Sequence, residues 1–317
     1  MEEQIMAFKK AVLIKIANSH FDQKYWDEID GIVETKVSLE RDDPSLVEEL
    51  KDADVLFLGF QVPIGKDIID AAPNLKLINI LATAYGTVDL ETAAERGIVV
   101  CNLGGYSTEA VAEFTIAAIL HEIRGIAEGL RRANADNYDF TGIKARELKD
   151  SKFAVVGLGN IGNRVAELAS GFGANVSYWS RSKKDSPFTY QESLSDLLAN
   201  NDIISINVAE TEDTAKLLNA DNIELIPSGS VLISTVPPSV IDTDALAERL
   251  AKNDITFVFD HPDEMPPEEF AKIKDFTNVV RYPAIGFITD EARIAKQEIF
   301  IGNLTSFLSG SVQNKVN

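Results

Sequence analysis

Gly157-Leu158-Gly159-Asn160-Ile161-Gly162 spaces three glycines so that a strand can turn sharply into a helix with its backbone laid bare. In such a turn the first glycine permits the bend and the second lets the backbone approach a pyrophosphate. The third lets helix and strand pack closely, while the N–H groups of the first helical turn face the phosphates. The spacing alone carries little, so its flanks decide the reading. Ser151-Lys152 lead into Phe153-Ala154-Val155-Val156, a short apolar run of strand type. After the third glycine, Val165, Leu168, Ala169 and Phe172 recur at helical spacing. Strand, glycine turn and helix in that order predict a dinucleotide-binding turn with Asn160 and Ile161 at the helix start.

The next apolar run, Asn175-Val176-Ser177-Tyr178-Trp179, ends at Ser180-Arg181-Ser182. About twenty residues after such a turn, an NAD site places an acid that hydrogen-bonds the adenosine 2′-hydroxyl. Here that place holds Ser180, followed by Arg181. A carboxylate would repel a 2′-phosphate, whereas a hydroxyl and a guanidinium bind one, the latter in bidentate fashion. NADP is therefore expected to be favoured over NAD, with Ser180, Arg181 and Ser182 as its ribose-phosphate contacts.

These residues need a scaffold, and the chain supplies alternating strand and helix patterns. Ala11–Ile16, Val55–Leu58 and Leu75–Ile80 read as strands, with helical patterns near 44–51 and 65–72 between them. Ser107 is a plausible N-cap for one long helix reaching about Arg132. Beyond the glycine turn, Ile203–Asn207, Val231–Ser234 and Thr256–Phe259 read as further strands, and a last helix covers about Thr289–Leu308. Such alternation predicts an α/β protein of parallel sheets covered by helices. The expected organisation is a discontinuous domain, residues 1–106 plus 289–317, around a nucleotide-binding domain, residues 107–288.

Composition bounds the partners. The 317 residues suit two domains, and the formal net charge of −20 sets a field that repels nucleic acid and anionic membranes. Neither partner is expected. The single cysteine, Cys101, leaves no disulfide within the chain and fits a reducing cytoplasm. Met1-Glu2-Glu3-Gln4 shows no export signal, and no apolar run approaches a membrane span. No metal site is expected.

Several segments resemble the D-isomer-specific 2-hydroxyacid dehydrogenase family over nearly the whole chain. They are Val88–Ile98, Gly105–Glu113, Val156–Gly162, Gly229–Thr235 and Pro283–Ala292. The resemblance implies two Rossmann-like or flavodoxin-like parallel-sheet domains with a cleft between them, a homodimer, and NAD(P)-linked interconversion of 2-keto and D-2-hydroxy acids. It also assigns Asp260 to the nicotinamide amide, and Val208, Thr235 and Val236 to the cofactor wall.

That reaction uses an arginine on the substrate carboxylate, a histidine that handles the hydroxyl proton, and a carboxylate that orients the histidine. At the matching positions this chain carries Pro237, Met265 and Ala284. None of the three can donate a charged hydrogen bond or move a proton. The remaining candidates for a relocated acid or base are His20, His261 and Glu264. The side chain of His261 is expected to point away from the nicotinamide, since it alternates with Asp260. His121, among apolar residues of the long helical stretch, reads as a core or interface histidine. The substrate-loop segment reads Ala82-Thr83-Ala84-Tyr85-Gly86, and Phe60, Tyr85, Tyr282 and Phe287 by family position would line an aromatic cleft or pack an interface. The expectation is an NAD(P)-binding oxidoreductase with non-standard substrate or proton chemistry. Its alternative is an inactive NAD(P)-binding regulatory or structural protein, with a small carbonyl compound or hydroxy acid as the further ligand of the enzyme.

Overall fold

The computed structural model describes residues 8–317, so the reading of Met1-Glu2-Glu3-Gln4 lies outside the described residues. The chain divides into two compact units, Met1–Ser107 with Thr289–Asn317, and Thr108–Ile288.

The first unit carries strands β1 (Phe8–Ile14), β2 (Val33–Leu39), β3 (Val55–Leu58), β4 (Leu77–Ile80) and β5 (Val99–Cys101). Helices α1 (Gln23–Ile32), α2 (Leu46–Leu50), α3 (Lys66–Ala71) and α4 (Leu90–Glu95) connect them. All pairs are parallel, in the order β2-β1-β3-β4-β5. Val55–Leu58 and Leu77–Ile80 are buried along their whole length, as expected for strands covered on both faces. The edge strand β2, Val-Glu-Thr-Lys-Val-Ser-Leu, is half exposed and carries its charges there.

The second unit opens with α5 (Thr108–Ile123) and α6 (Ile126–Ala133). Its strands are β6 (Lys152–Val156), β7 (Asn175–Trp179), β8 (Thr189–Tyr190), β9 (Ile203–Ile206), β10 (Val231–Ser234), β11 (Thr256–Phe259) and β12 (Val279–Arg281). Helices α7 (Asn160–Gly171), α8 (Leu194–Ala199), α9 (Ala220–Ile223), α10 (Thr243–Leu250) and α11 (Pro267–Ile273) link them. The parallel sheet runs β12-β11-β10-β9-β6-β7-β8. The final helix, α12 (Asp290–Leu308), belongs to the first unit, and the Thr289 side chain caps it by accepting from the Ala292 N–H. Both units are parallel α/β domains, as the alternation of patterns predicts.

Three sequence expectations need correction. The single helix from Ser107 to Arg132 is two helices, broken at Gly125. Gly125 adopts φ +62°, and a Cβ there would stand 2.8 Å from Ile143 and 3.0 Å from the Lys144 carbonyl oxygen. The first strand ends at Ile14, because Lys15 turns into the left-handed region at φ 58°. The strand expected from Leu75 begins only at Leu77.

Candidate cofactor site

The second sheet changes direction of growth at β6, whose neighbours are β7 on one side and β9 on the other. Ligands of open parallel sheets bind beyond the carboxyl ends of strands at such a switch point. The glycine turn leaves β6 at this place. Gly157 has φ +96°, and a side chain on it would strike Val208 at 2.7 Å and the Asn207 backbone at 2.9 Å. Its N–H donates to the Trp179 carbonyl, 2.8 Å, and the Asn207 N–H donates to the Val156 carbonyl, 2.8 Å. The turn is thus tied to the ends of both neighbouring strands. Gly162, in the first turn of α7, would place a Cβ 1.9 Å from the Gly157 carbonyl oxygen. Only a glycine lets this helix approach so closely. Gly159 differs from both, since a Cβ there would meet no atom within 4 Å. Its open side is the space a pyrophosphate needs.

That space belongs to a cavity of about 430 Å³ lined by Gly157, Leu158, Gly159, Trp179, Ser180, Arg181, Ser182, Lys184, Asn207, Val208, Ala209, Thr211 and Thr214. No carboxylate is among these lining residues. The Ser180 hydroxyl is nearly buried and donates to the Ser182 carbonyl, 2.7 Å, which fixes the loop that follows β7. Tyr178 holds the same loop, its phenol donating to the Lys184 carbonyl and accepting the Lys184 N–H, 3.1 and 2.9 Å. Arg181 is solvent-exposed, and its one described ion pair is a long contact of 3.7 Å with Asp213. Such an exposed pair is worth little and leaves the guanidinium available to a phosphate.

Of the expected cofactor residues, the structure gathers Gly157, Gly159, Ser180, Arg181, Ser182 and Val208 around this cavity, with Asn160, Ile161 and Gly162 forming the adjoining start of α7. Thr235, Val236 and Asp260 lie outside its lining. Val236 instead lines a separate cleft of about 20 Å³ with Pro238, Phe259 and Met265, which is room for about one water. Lys184, Asn207, Thr211 and Thr214 were not expected. Their signal was positional, since each follows the carboxyl end of β7 or β9.

Met265 is 9% exposed and packs into the hydrophobic core of the second unit. Pro237 precedes a short 3-10 turn, Pro238–Val240, and Ala284 follows β12, both half-buried. Asp260, 1% exposed, directly follows β11. One of its oxygens lies 2.7 Å from Nδ1 of His261, and the other lies where a Cβ on Gly286 would come within 2.8 Å. The His261 contact is a charge contact; neither atom has a well-aligned hydrogen bond. Burial opposes charge on this imidazole, but the Asp260 carboxylate beside it, with Glu264 beyond, prevails and pushes its pKa up to about 9. Burial likewise raises the carboxyl of Glu264, against the pull of His261. His20, in the first unit, accepts the Ala17 N–H at Nδ1, 3.1 Å, and is held below its ordinary pKa by burial and by Lys296. His121 lies half-buried on α5. Phe60 and Tyr85 are exposed in the first unit and Phe287 in the second, whereas Tyr282 packs edge-on against Phe114 at 5.3 Å.

Residues 116–286 match the model of the D-isomer specific 2-hydroxyacid dehydrogenase family, NAD binding domain. The chain belongs to this family. It is 30% identical to a glyoxylate reductase of Aeropyrum pernix, covering 96% of this chain and 92% of the relative. A D-lactate dehydrogenase from Aquifex aeolicus, solved with NAD and lactic acid, superposes with a TM-score of 0.83 at 25% identity, covering 95% and 96% of the two chains. An acyclic imino acid reductase solved with NADPH and D-Arg shares the fold, with a TM-score of 0.86 at 23% identity over 97% and 100%. A nicotinamide dinucleotide is accordingly the cofactor of this dehydrogenase-family chain, and its class is that of NAD-dependent oxidoreductases. Among the described residues, no helix is long and apolar enough to cross a membrane, and no group of metal-ligating side chains stands together.

Proposed function

We propose that this protein is an oxidoreductase that prefers NADP(H) and acts on a small carbonyl or hydroxy compound without the arginine, glutamate and histidine of its family. The observation that carries the reading is the 430 Å³ cavity, which combines the open face of Gly159 with Ser180, Arg181, Ser182 and Lys184 and has no lining carboxylate. Gly157, Gly159 and the N–H groups of Asn160, Ile161 and Gly162 would hold the pyrophosphate. Arg181 and Lys184 would pair with a 2′-phosphate. Such a cofactor supplies or accepts the hydride, and the protein's part is to position and to handle protons.

Pro237, Met265 and Ala284 cannot fill the family's proton-handling roles, and Met265 serves the core instead. Of the three remaining candidates, His261 has the most support. It keeps its proton at neutral pH beside Asp260, and so can act as an acid. His20 is held as the neutral imidazole, with Nδ1 occupied by the Ala17 N–H. Glu264 is partly buried and stays closer to neutral than an exposed carboxylate. We also propose a cytoplasmic homodimer, on the family resemblance and on the single reduced Cys101, which is buried.

Titration calorimetry with NADPH and NADH tests the cofactor reading. NADPH is expected to bind at least as tightly as NADH, and Ser180→Asp to reverse the order. Tight NADH binding with no detectable NADPH binding contradicts it.

A further inference from the structure

Tyr178 is fully buried in β7, in one core cluster with Phe153, Val155 and Ile203, and its ring lies 5.4 Å from that of Tyr190. Its backbone is held from both sides, in parallel register with Val155 on β6 and Tyr190 on β8. A phenylalanine would fill this space equally well, so the hydroxyl is the group that needs a reason. A buried phenol must find partners for its polar tip. Here one residue supplies both. The phenol accepts the Lys184 N–H at 2.9 Å and donates to the Lys184 carbonyl at 3.1 Å.

What that clasp restrains is a loop with a reason to spread. Arg181, Lys183 and Lys184 put three cations into four residues, and like charges repel. The one described ion pair that relieves them is the long Arg181–Asp213 contact, 3.7 Å. Ser180 adds a second clasp, its hydroxyl donating to the Ser182 carbonyl at 2.7 Å. Both clasps take main-chain atoms and leave the Arg181 and Lys184 side chains to the wall of the cavity of about 430 Å³. The loop is therefore closed onto the sheet before any ligand arrives. Its ordering is completed in folding rather than in binding, which favours affinity.

We infer that Tyr178 is a positioning residue for cofactor selectivity. Through the Lys184 main chain, its phenol holds Arg181 and Lys184 where the 2′-phosphate of NADP(H) needs them. Charge attracts the phosphate, and the clasp sets the geometry in which the two cations share it. Selectivity thus depends on a residue that lies outside the lining of the cavity, beneath its basic loop. The inference rests on the proposed preference for NADP(H) and deepens it by naming what fixes the loop.

Titration of the full chain with 2′,5′-ADP and with 5′-AMP isolates the contribution of the 2′-phosphate. The wild type is expected to prefer 2′,5′-ADP, and Tyr178→Phe to shrink that preference about fivefold or more, the scale of one lost hydrogen bond. A general loss of stability would weaken both ligands alike and leave their ratio intact. In a protein carrying Arg181→Gln and Lys184→Gln, adding Tyr178→Phe should change the ratio no further, because the phenol acts through those side chains. Hydrogen exchange on the ligand-free wild type reads the clasp without any substitution, and the Lys184 amide should be protected. An unprotected Lys184 amide, an unchanged ratio in Tyr178→Phe, or a further loss in the triple variant would overturn the inference. Equal binding of the two nucleotides by the wild type, with Lys184 still protected, would instead remove the NADP(H) reading, and the inference with it.

Discussion

His261 shows how one residue acquires a property its type does not guarantee. An imidazole ordinarily loses its proton near pH 6.5, and burial should push it lower still. Beside Asp260 the balance reverses, and the pKa rises to about 9. Because the folded state holds this proton more tightly than the unfolded chain, the pair's contribution to stability is fully present below about pH 6.5. It is lost as pH climbs through about 9. NMR titration should place the His261 transition near pH 9, and Asp260→Asn should lower it, since the burial penalty stays while the carboxylate is lost. A His261 transition near pH 6.5 in the wild type would show that Asp260 does not hold the proton. The neighbourhood is also a place of unmet hydrogen bonds, since Asp260, His261 and Glu264 each bury a side-chain atom with no aligned partner. Groups left in this condition are a known mark of sites that act on ligands.

Among the elements, α12 shows how a helix is anchored by more than its apolar stripe. Asn303, fully buried, donates through Nδ2 to Oδ1 of Asn79 and to the Asn102 carbonyl, each 2.9 Å, and accepts from Asn314 at 2.8 Å. Asn79 in turn donates to the Phe300 carbonyl, 3.0 Å. Replacing Asn303→Leu leaves buried polar groups without partners and should cost about 1–3 kcal/mol or more in chemical denaturation. A loss below measurement would mean that the network is dispensable. The same contrast explains what the sequence disclosed. Val55–Leu58, Ile203–Ile206 and Val231–Ser234 are legible because strands buried on both faces must be continuous apolar runs. β2, with Glu34 and Lys36, and the two-residue β8 gave no such run, because edge strands are short or charged. Gly125 within a helical pattern is ambiguous from sequence, since a glycine can be tolerated inside a helix. Its break becomes evident only when Ile143 and Lys144 are seen packed against it. The glycine turn and Ser180-Arg181-Ser182, which line one cavity, were legible because local spacing defines them. Lys184, Thr211 and Thr214 were not, since loops from different strands converge on the cavity only in the folded unit.

At the scale of the whole molecule, two parallel sheets of five and seven strands carry two switch points. The one in the second unit holds the glycine turn, and the one in the first lies between β1 and β3. Binding capacity therefore resides in the topology, and the proposed change of proton chemistry rests on Pro237, Met265 and Ala284. The family resemblance also predicts a two-fold dimer. Light scattering should give twice the 34.7 kDa chain mass; a concentration-independent monomer would contradict that.

We propose that the cofactor module persists while the chemistry around it has changed. Steady-state turnover of glyoxylate by the wild-type protein with saturating NADPH addresses it most directly, because glyoxylate is named as the substrate of the relative from Aeropyrum pernix. Loss of an acid–base group typically costs a factor of about 10² to 10⁴, and in the proposed reading all the usual ones are replaced. No turnover above background is expected. A rate above about 1 s⁻¹, within the ordinary enzyme range, would contradict it and show that another group carries the proton.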